Sequence, residues 1–219
     1  MFLAHNEKKH KENAMLRLKK YPTPISGLTL GLAGICAFWS AIVPGTLVGE
    51  MILVAAALLI LVLLAPLVMK MAVFPELLMD DLNNPTVGSV VPTLAMTLML
   101  LSATLDIFSV TAGSVLWLFA VVLHVAFFLI FVVGRLKNPN INLLVPSWFV
   151  PPIGIVVACL TLPDMRFLLL AKILLFFGLI AYAIMLPVVL YRLSVGGLIE
   201  DARKPTLAIL AAPASLTLA

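Results

Sequence analysis

Apolar residues in this chain come in runs of about twenty, the length that carries a helix across the hydrocarbon core of a bilayer. Six such runs cover residues 25–43, 50–72, 87–108, 114–134, 143–163 and 166–190, and a seventh begins near Pro205. Short polar or charged stretches separate them. The alternation that marks a barrel strand is missing, and backbone groups in lipid must be satisfied within their own segment. The pattern therefore predicts helices throughout.

The runs are of two alternating kinds. The odd ones are rich in Gly, Ala, Ser, Thr and Pro. Run 1 reads ISGLTLGLAGICAFWSAI, with Gly27, Gly31 and Gly34 on one stripe; run 3 reads VGSVVPTLAMTLMLLSATL; run 5 holds PSWFVPPIG. The even ones, such as SVLWLFAVVLHVAFFLIFVV in run 4, are dense in Leu, Val, Ile and Phe. Pro24, Pro92, Pro152 and Pro213 recur at intervals of 68, 60 and 61 residues. Periodicity of this order is the mark of a repeated structural unit, here a two-helix unit. A proline inside a helix removes a hydrogen bond and kinks the chain, and small residues let helices approach closely. Together these features predict an inner ring of odd helices around a path, shielded from lipid by bulky even helices.

Composition agrees. The chain of 219 residues is 63% hydrophobic and 11% charged, where a soluble domain carries about a quarter charged residues. The fold class is all-α, a polytopic membrane protein, with a basic arm at 1–24 and a transmembrane domain at 25–219. The arm, MFLAHNEKKHKENAMLRLKKY, lacks the short apolar core and small-residue cleavage site of a signal peptide, so run 1 is read as its own insertion signal. Cys36 and Cys159 fall inside runs with no CxxC and no neighbouring histidine, and read as packing residues.

Charge sets orientation. Twelve of the 14 Lys and Arg residues lie in the arm or near the connections after runs 2, 4 and 6: Lys8, Lys9, Lys11, Arg17, Lys19, Lys20, Lys70, Arg135, Lys137, Arg192, Arg203 and Lys204. Basic loops stay cytoplasmic, so the N terminus is expected on that side. The same face would attract anionic lipid and concentrate soluble anions near a cytoplasmic mouth.

Few ionisable groups lie within the runs. Glu50, Asp106 and Asp164 sit at helix ends, so no carboxylate is placed to bind a coupling ion, and a passive conduit is favoured over a coupled carrier. His124, mid-run 4, reads as a neutral residue bonded to a neighbouring helix, with a proton relay as the alternative. Lys172 is close enough to the outer interface to snorkel. HExxH, Walker, GxSxG and paired intramembrane carboxylate signatures are all missing, which speaks against catalysis.

The stretch from Pro24 to Gly34, the PSWFVPPIG opening of run 5, and Arg203-Lys204-Pro205 leading into LAAPAS resemble the tellurite-resistance/C4-dicarboxylate transporter family. That family includes bacterial tellurite-resistance permeases, fungal malate permeases and plant guard-cell slow anion channels. The resemblance implies ten helices in five hairpins, odd helices lining a pore, and trimers with one pore per subunit. By it, the pore-facing residues are Gly31, Gly34, Pro92, Met96, Pro152, Gly154 and Pro213. Its gate, a phenylalanine on the ninth helix, has no counterpart here. It implies no cofactor, metal or nucleic acid; the partners are a small anion, the lipid bilayer and further copies of the chain. The seventh run, ending on apolar Ala219 without a charged stop, suggests a longer natural protein or a disrupted reading frame.

The resulting expectation is an anion-permeable channel or permease of the bacterial cytoplasmic membrane, passing C4-dicarboxylates such as malate, tellurite or inorganic anions. The alternatives are a proton-coupled dicarboxylate carrier, and a membrane scaffold or intramembrane enzyme that moves nothing.

Overall fold

The computed structural model describes residues 2–43, 45–137 and 139–218. Ala219, the last residue of the seventh run, lies outside the described residues. Among those described, regular structure is entirely helical: α1 Phe2–Lys19, α2 Ile25–Ile42, α3 Leu47–Val73, α4 Pro75–Asn83, α5 Val87–Val90, α6 Thr93–Asp106, α7 Val110–Lys137, α8 Val150–Ile153, α9 Val157–Leu160, α10 Leu168–Val195 and α11 Ala211–Leu218, with 3-10 turns at 141–143, 146–149, 154–156, 165–167 and 201–210. The protein is an all-α polytopic membrane protein.

Three antiparallel hairpins follow one another: α2 with α3, α5–α6 with α7, and the broken segment 146–160 with α10. Their second members are continuous and long, and lie on the outside. Of their most apolar stretches, 22% is buried in α3, 33% in α7 and 17% in α10, against 67% across α5–α6. The bulky side chains of α3, α7 and α10 therefore meet lipid, where an apolar surface costs nothing, and the small-residue segments are packed within.

Proline position explains where helices end. Pro24 stands just before the first residue of α2 and Pro92 just before α6, positions that need no backbone N–H. In segment 146–160, Pro146, Pro151 and Pro152 precede Gly154, and the chain alternates between 3-10 and α-helical turns. Pro66 and Pro187, by contrast, lie inside α3 and α10 without ending them. Proline is thus not confined to the odd class, as the sequence pattern suggests; interruption is.

Two elements go beyond the sequence expectation. The basic arm is a helix, α1, and Lys19 at its end places its ammonium 4.7 Å from the Phe74 ring centroid. α4 is a short helix opened by Pro75 with Leu82 buried; it lies between the end of α3 and the Pro92 break.

Two cations counted above as loop charges are buried. Lys70 Nζ donates to the Tyr21 carbonyl (3.1 Å), the Thr23 hydroxyl (2.9 Å) and Asp81 Oδ2 (3.2 Å), while the Thr23 hydroxyl donates to the same carboxylate oxygen (2.5 Å). This ion pair pins α3 and α4 to the start of α2. Arg192 donates to the carbonyls of Ile141, Gly197 and Asn142 at 3.1, 3.0 and 3.2 Å, holding together the approach to segment 146–160 and the turn after α10. Lys172 is exposed on α10, Cys36 is buried and Cys159 half-buried, and neither thiol is in a disulfide.

A cavity between the odd segments

The inner segments are joined by hydroxyl groups. Thr93 Oγ1 donates to Ser26 Oγ at 2.8 Å, tying α6 to α2, and Ser89 and Ser147 share a 2.6 Å bond between α5 and segment 146–149. Small polar side chains of this kind hold membrane helices together at close range. They are not spare donors: Thr29 donates to the Ser26 carbonyl at 2.9 Å, Thr97 to that of Thr93 at 2.8 Å, and Thr161 to that of Val157 at 2.9 Å.

Between the joined segments lies a cavity of about 940 Å³. Gly27, Leu30 and Gly34 face it from α2, Thr93, Met96 and Leu100 from α6, Phe149, Ile153, Gly154 and Val157 from segment 146–160, and Ile209, Ala212 and Pro213 from the last stretch. All four odd runs contribute. Among the described residues the even helices supply only Leu53, and no charged side chain is part of the wall.

Of the seven residues named from sequence, Gly34, Met96, Gly154 and Pro213 line this cavity. Gly31, Pro92 and Pro152 do not. Gly31 is exposed, and a side chain added there would meet nothing within 4 Å. At 3.6 residues per turn it is rotated about 40° from Gly27 and about 100° from Leu30, on the side away from the wall that those two share. Pro92 is buried at the α5–α6 break, behind the wall formed by Val90 and Thr93. Pro152 borders a separate cleft between α7 and α10. Sequence reasoning did not single out Phe149 or Thr93. Phe149 is 1% exposed, with its ring 6.2 Å from that of Tyr182. Its signal was its place in PSWFVPPIG, outweighed by the rule that aromatic side chains go outside.

Behind the wall at Gly154 stands His124. This α7 residue is buried, and its Nε2 lies 2.9 Å from the carbonyl oxygen of Pro151. A carbonyl only accepts, so Nε2 carries the proton and donates. The bond attaches the broken segment to a continuous helix. Trp117, also on α7, adds a second attachment by donating to the Ala158 carbonyl at 3.1 Å. Beside His124, Gly154 has no room to spare: a Cβ there would come within 2.6 Å of Met96 Sδ and 3.1 Å of His124 Cε1. The glycine lets three segments meet at close range. Among the described residues no group of three or more His, Cys, Asp or Glu side chains is placed to hold a metal ion.

A family model described as voltage-dependent anion channel matches residues 21–219. The chain belongs to that family. The match begins after α1 and spans every hairpin, and it agrees with the resemblance drawn from Pro24–Gly34 and PSWFVPPIG. Membership makes this a membrane protein of anion channels and transporters, not an enzyme. Among curated proteins, none matches the chain.

Proposed function

We propose that the cavity between the odd segments is part of the route by which small anions cross the membrane, and that transport is passive. The convergence of all four odd runs on one uncharged cavity carries this reading. A wall of apolar and small side chains offers no fixed countercharge to trap an anion, and such a conduit selects by width, wetting and surrounding potential. The positive potential comes from the face holding α1 and the basic ends of α7 and α10. The break before Thr93 adds the N-terminal end of α6, whose dipole favours negative charge beside the cavity. The wall has no readable substrate code; C4-dicarboxylates such as malate, tellurite and monovalent inorganic anions are the candidates by family likeness. In the same reading the N terminus is cytoplasmic, the membrane is the bacterial cytoplasmic one, residues 25–219 are the transmembrane domain behind a basic arm, and the protein assembles as a homo-oligomer, by likeness a trimer.

The test is flux from proteoliposomes loaded with chloride, nitrate or labelled malate, with and without an imposed pH gradient. Efflux above protein-free vesicles that ignores the gradient supports the proposal. Efflux that requires the gradient would support a coupled carrier, and no efflux of any anion would sink the conduit.

A further inference from the structure

The C-terminal end of α7 carries two apolar clefts that share one arginine. The first, about 360 Å³, lies between α7 and α10 and is walled by Phe131, Leu144, Trp148 and Met185; the second, about 480 Å³, lies between α4 and α7. Arg135 borders both and Lys137 borders the second, and neither cleft shares a residue with the cavity between the odd segments. Arg135 Nη2 donates to the Asn83 carbonyl, its guanidinium carbon is 5.6 Å from the Phe131 ring centroid, and its Nε is buried without a partner. Among the described residues no carboxylate forms an ion pair with Arg135 or Lys137. Phe131 in turn meets Trp148 edge-on at 5.4 Å, and the Trp148 indole donates to the Pro85 carbonyl at 2.8 Å. A tryptophan with an apolar body and an anchored N–H, one ring away from an arginine, marks the level where hydrocarbon gives way to headgroups.

We propose that this end of α7 binds an anionic phospholipid, its phosphate on Arg135 and Lys137 and an acyl chain in the cleft beside Trp148. Charge complementarity selects the occupant. A guanidinium with no carboxylate to balance it matches a phosphate in charge. The clefts beneath it are apolar, and Leu129, Val133 and Leu136 around them are 53%, 49% and 73% exposed, as a surface in contact with acyl chains would be. A zwitterionic lipid would bring a cation for which the site holds no carboxylate. The site stands whether or not anions pass through the cavity.

Trp148 reports on it directly. The full chain is placed in phosphatidylcholine nanodiscs containing a small fraction of lipid with a dibrominated acyl chain, carrying either a phosphatidylglycerol or a phosphatidylcholine headgroup. Bromine quenches indole fluorescence at contact range, and Trp148→Phe identifies the share of signal from this site. The expected result is quenching of that share by the glycerol lipid at several-fold lower mole fraction, on the order of fivefold for each basic side chain engaged. Unlabelled phosphatidylglycerol should restore the fluorescence and inorganic phosphate should not. Arg135→Lys should keep the preference, and Arg135→Gln should cut it about fivefold, leaving the share of Lys137. Equal quenching by the two headgroups in the unmodified protein would overturn the proposal without reliance on any variant's folding. So would recovery by inorganic phosphate, or a preference undiminished in folded Arg135→Gln.

Discussion

The long outer helices and the segments they shelter both contain proline, and only the sheltered ones break at it. α3 runs for 27 residues through Pro66 and α10 for 28 through Pro187. Segment 146–160 changes helical type three times around Pro151, Pro152 and Gly154. A lone proline removes one donor, a loss that a membrane helix absorbs by small local adjustment. Adjacent prolines followed by glycine remove successive donors and the stiffness that would carry the helix past them. A broken backbone at membrane depth then needs partners from elsewhere. Segment 146–160 has them in His124, Trp117 and the Ser89–Ser147 pair. The lesson is that the outer helices do more than face lipid: each carries a few inward polar groups that make the inner breaks tolerable.

If that is right, sensitivity in an outer helix should be concentrated at its inward polar residues. Lys70 is the extreme case. Lys70→Ala leaves a half-buried Asp81 beside Thr23 without its cation and the Tyr21 carbonyl without its donor, a loss of about 1–3 kcal/mol. Leu61, on the same helix but 52% exposed, should tolerate alanine with little change when unfolding is followed in detergent. Comparable losses for the two variants would erase the distinction between inward and lipid-facing positions.

A second test concerns the inner wall. Gly154→Ala drives a methyl into Met96 and His124. The methionine can swing away and the histidine cannot, so Met96 should move toward the cavity. Overpacking on the order of 1 kcal/mol, acting on the path, lowers flux about fivefold. Met96→Ala in the Gly154→Ala background should recover most of it, a non-additivity expected only of residues in contact. Independent effects of the two substitutions in a flux assay would separate them from a common wall.

The hairpin order and the inside and outside of each helix were legible in the sequence because they follow from side-chain size and apolar period, which act locally; of the seven residues named for the path, four face one cavity. The misplacements have local causes too. Gly31 shares a stripe with Gly27 and Gly34, but the wall extends from that stripe toward Leu30 and Ala37, and Gly31 lies on the opposite edge. Lys70 and Arg192 were counted as loop cations; nothing in the sequence shows that Asp81, or the carbonyls of Ile141, Asn142 and Gly197, fold back to meet them. Those contacts link residues 5 to 51 positions apart, and only the packed structure sets them.

His124 probes the attachment between the two regions. His124→Leu fills the space but leaves the Pro151 carbonyl without its donor, a loss of about 1–3 kcal/mol that should also reduce flux by loosening the wall behind Gly154. His124→Gln retains an N–H at similar reach and should recover most of both. A proton relay would instead fail in either variant, with the remaining flux no longer responsive to pH. The residue acts here as a positioning group, and rescue by glutamine separates that role from proton transfer.

The smallest effects should come from the outer prolines. Pro66→Ala and Pro187→Ala each restore a backbone donor to a helix that is already continuous, so stability should stay level or rise by about 1 kcal/mol, with flux unchanged. Pro152→Ala restores a donor as well, but in a segment whose irregular path is part of the cavity wall two residues later. A straighter segment 146–160 would carry Gly154 away from Met96 and weaken the bond from His124 to Pro151. The restored donor and the weakened bond oppose each other in stability, so the net change should be small while flux falls. Outer and inner prolines that behave alike in the flux assay would mean that the breaks are a by-product of composition, with no bearing on the path.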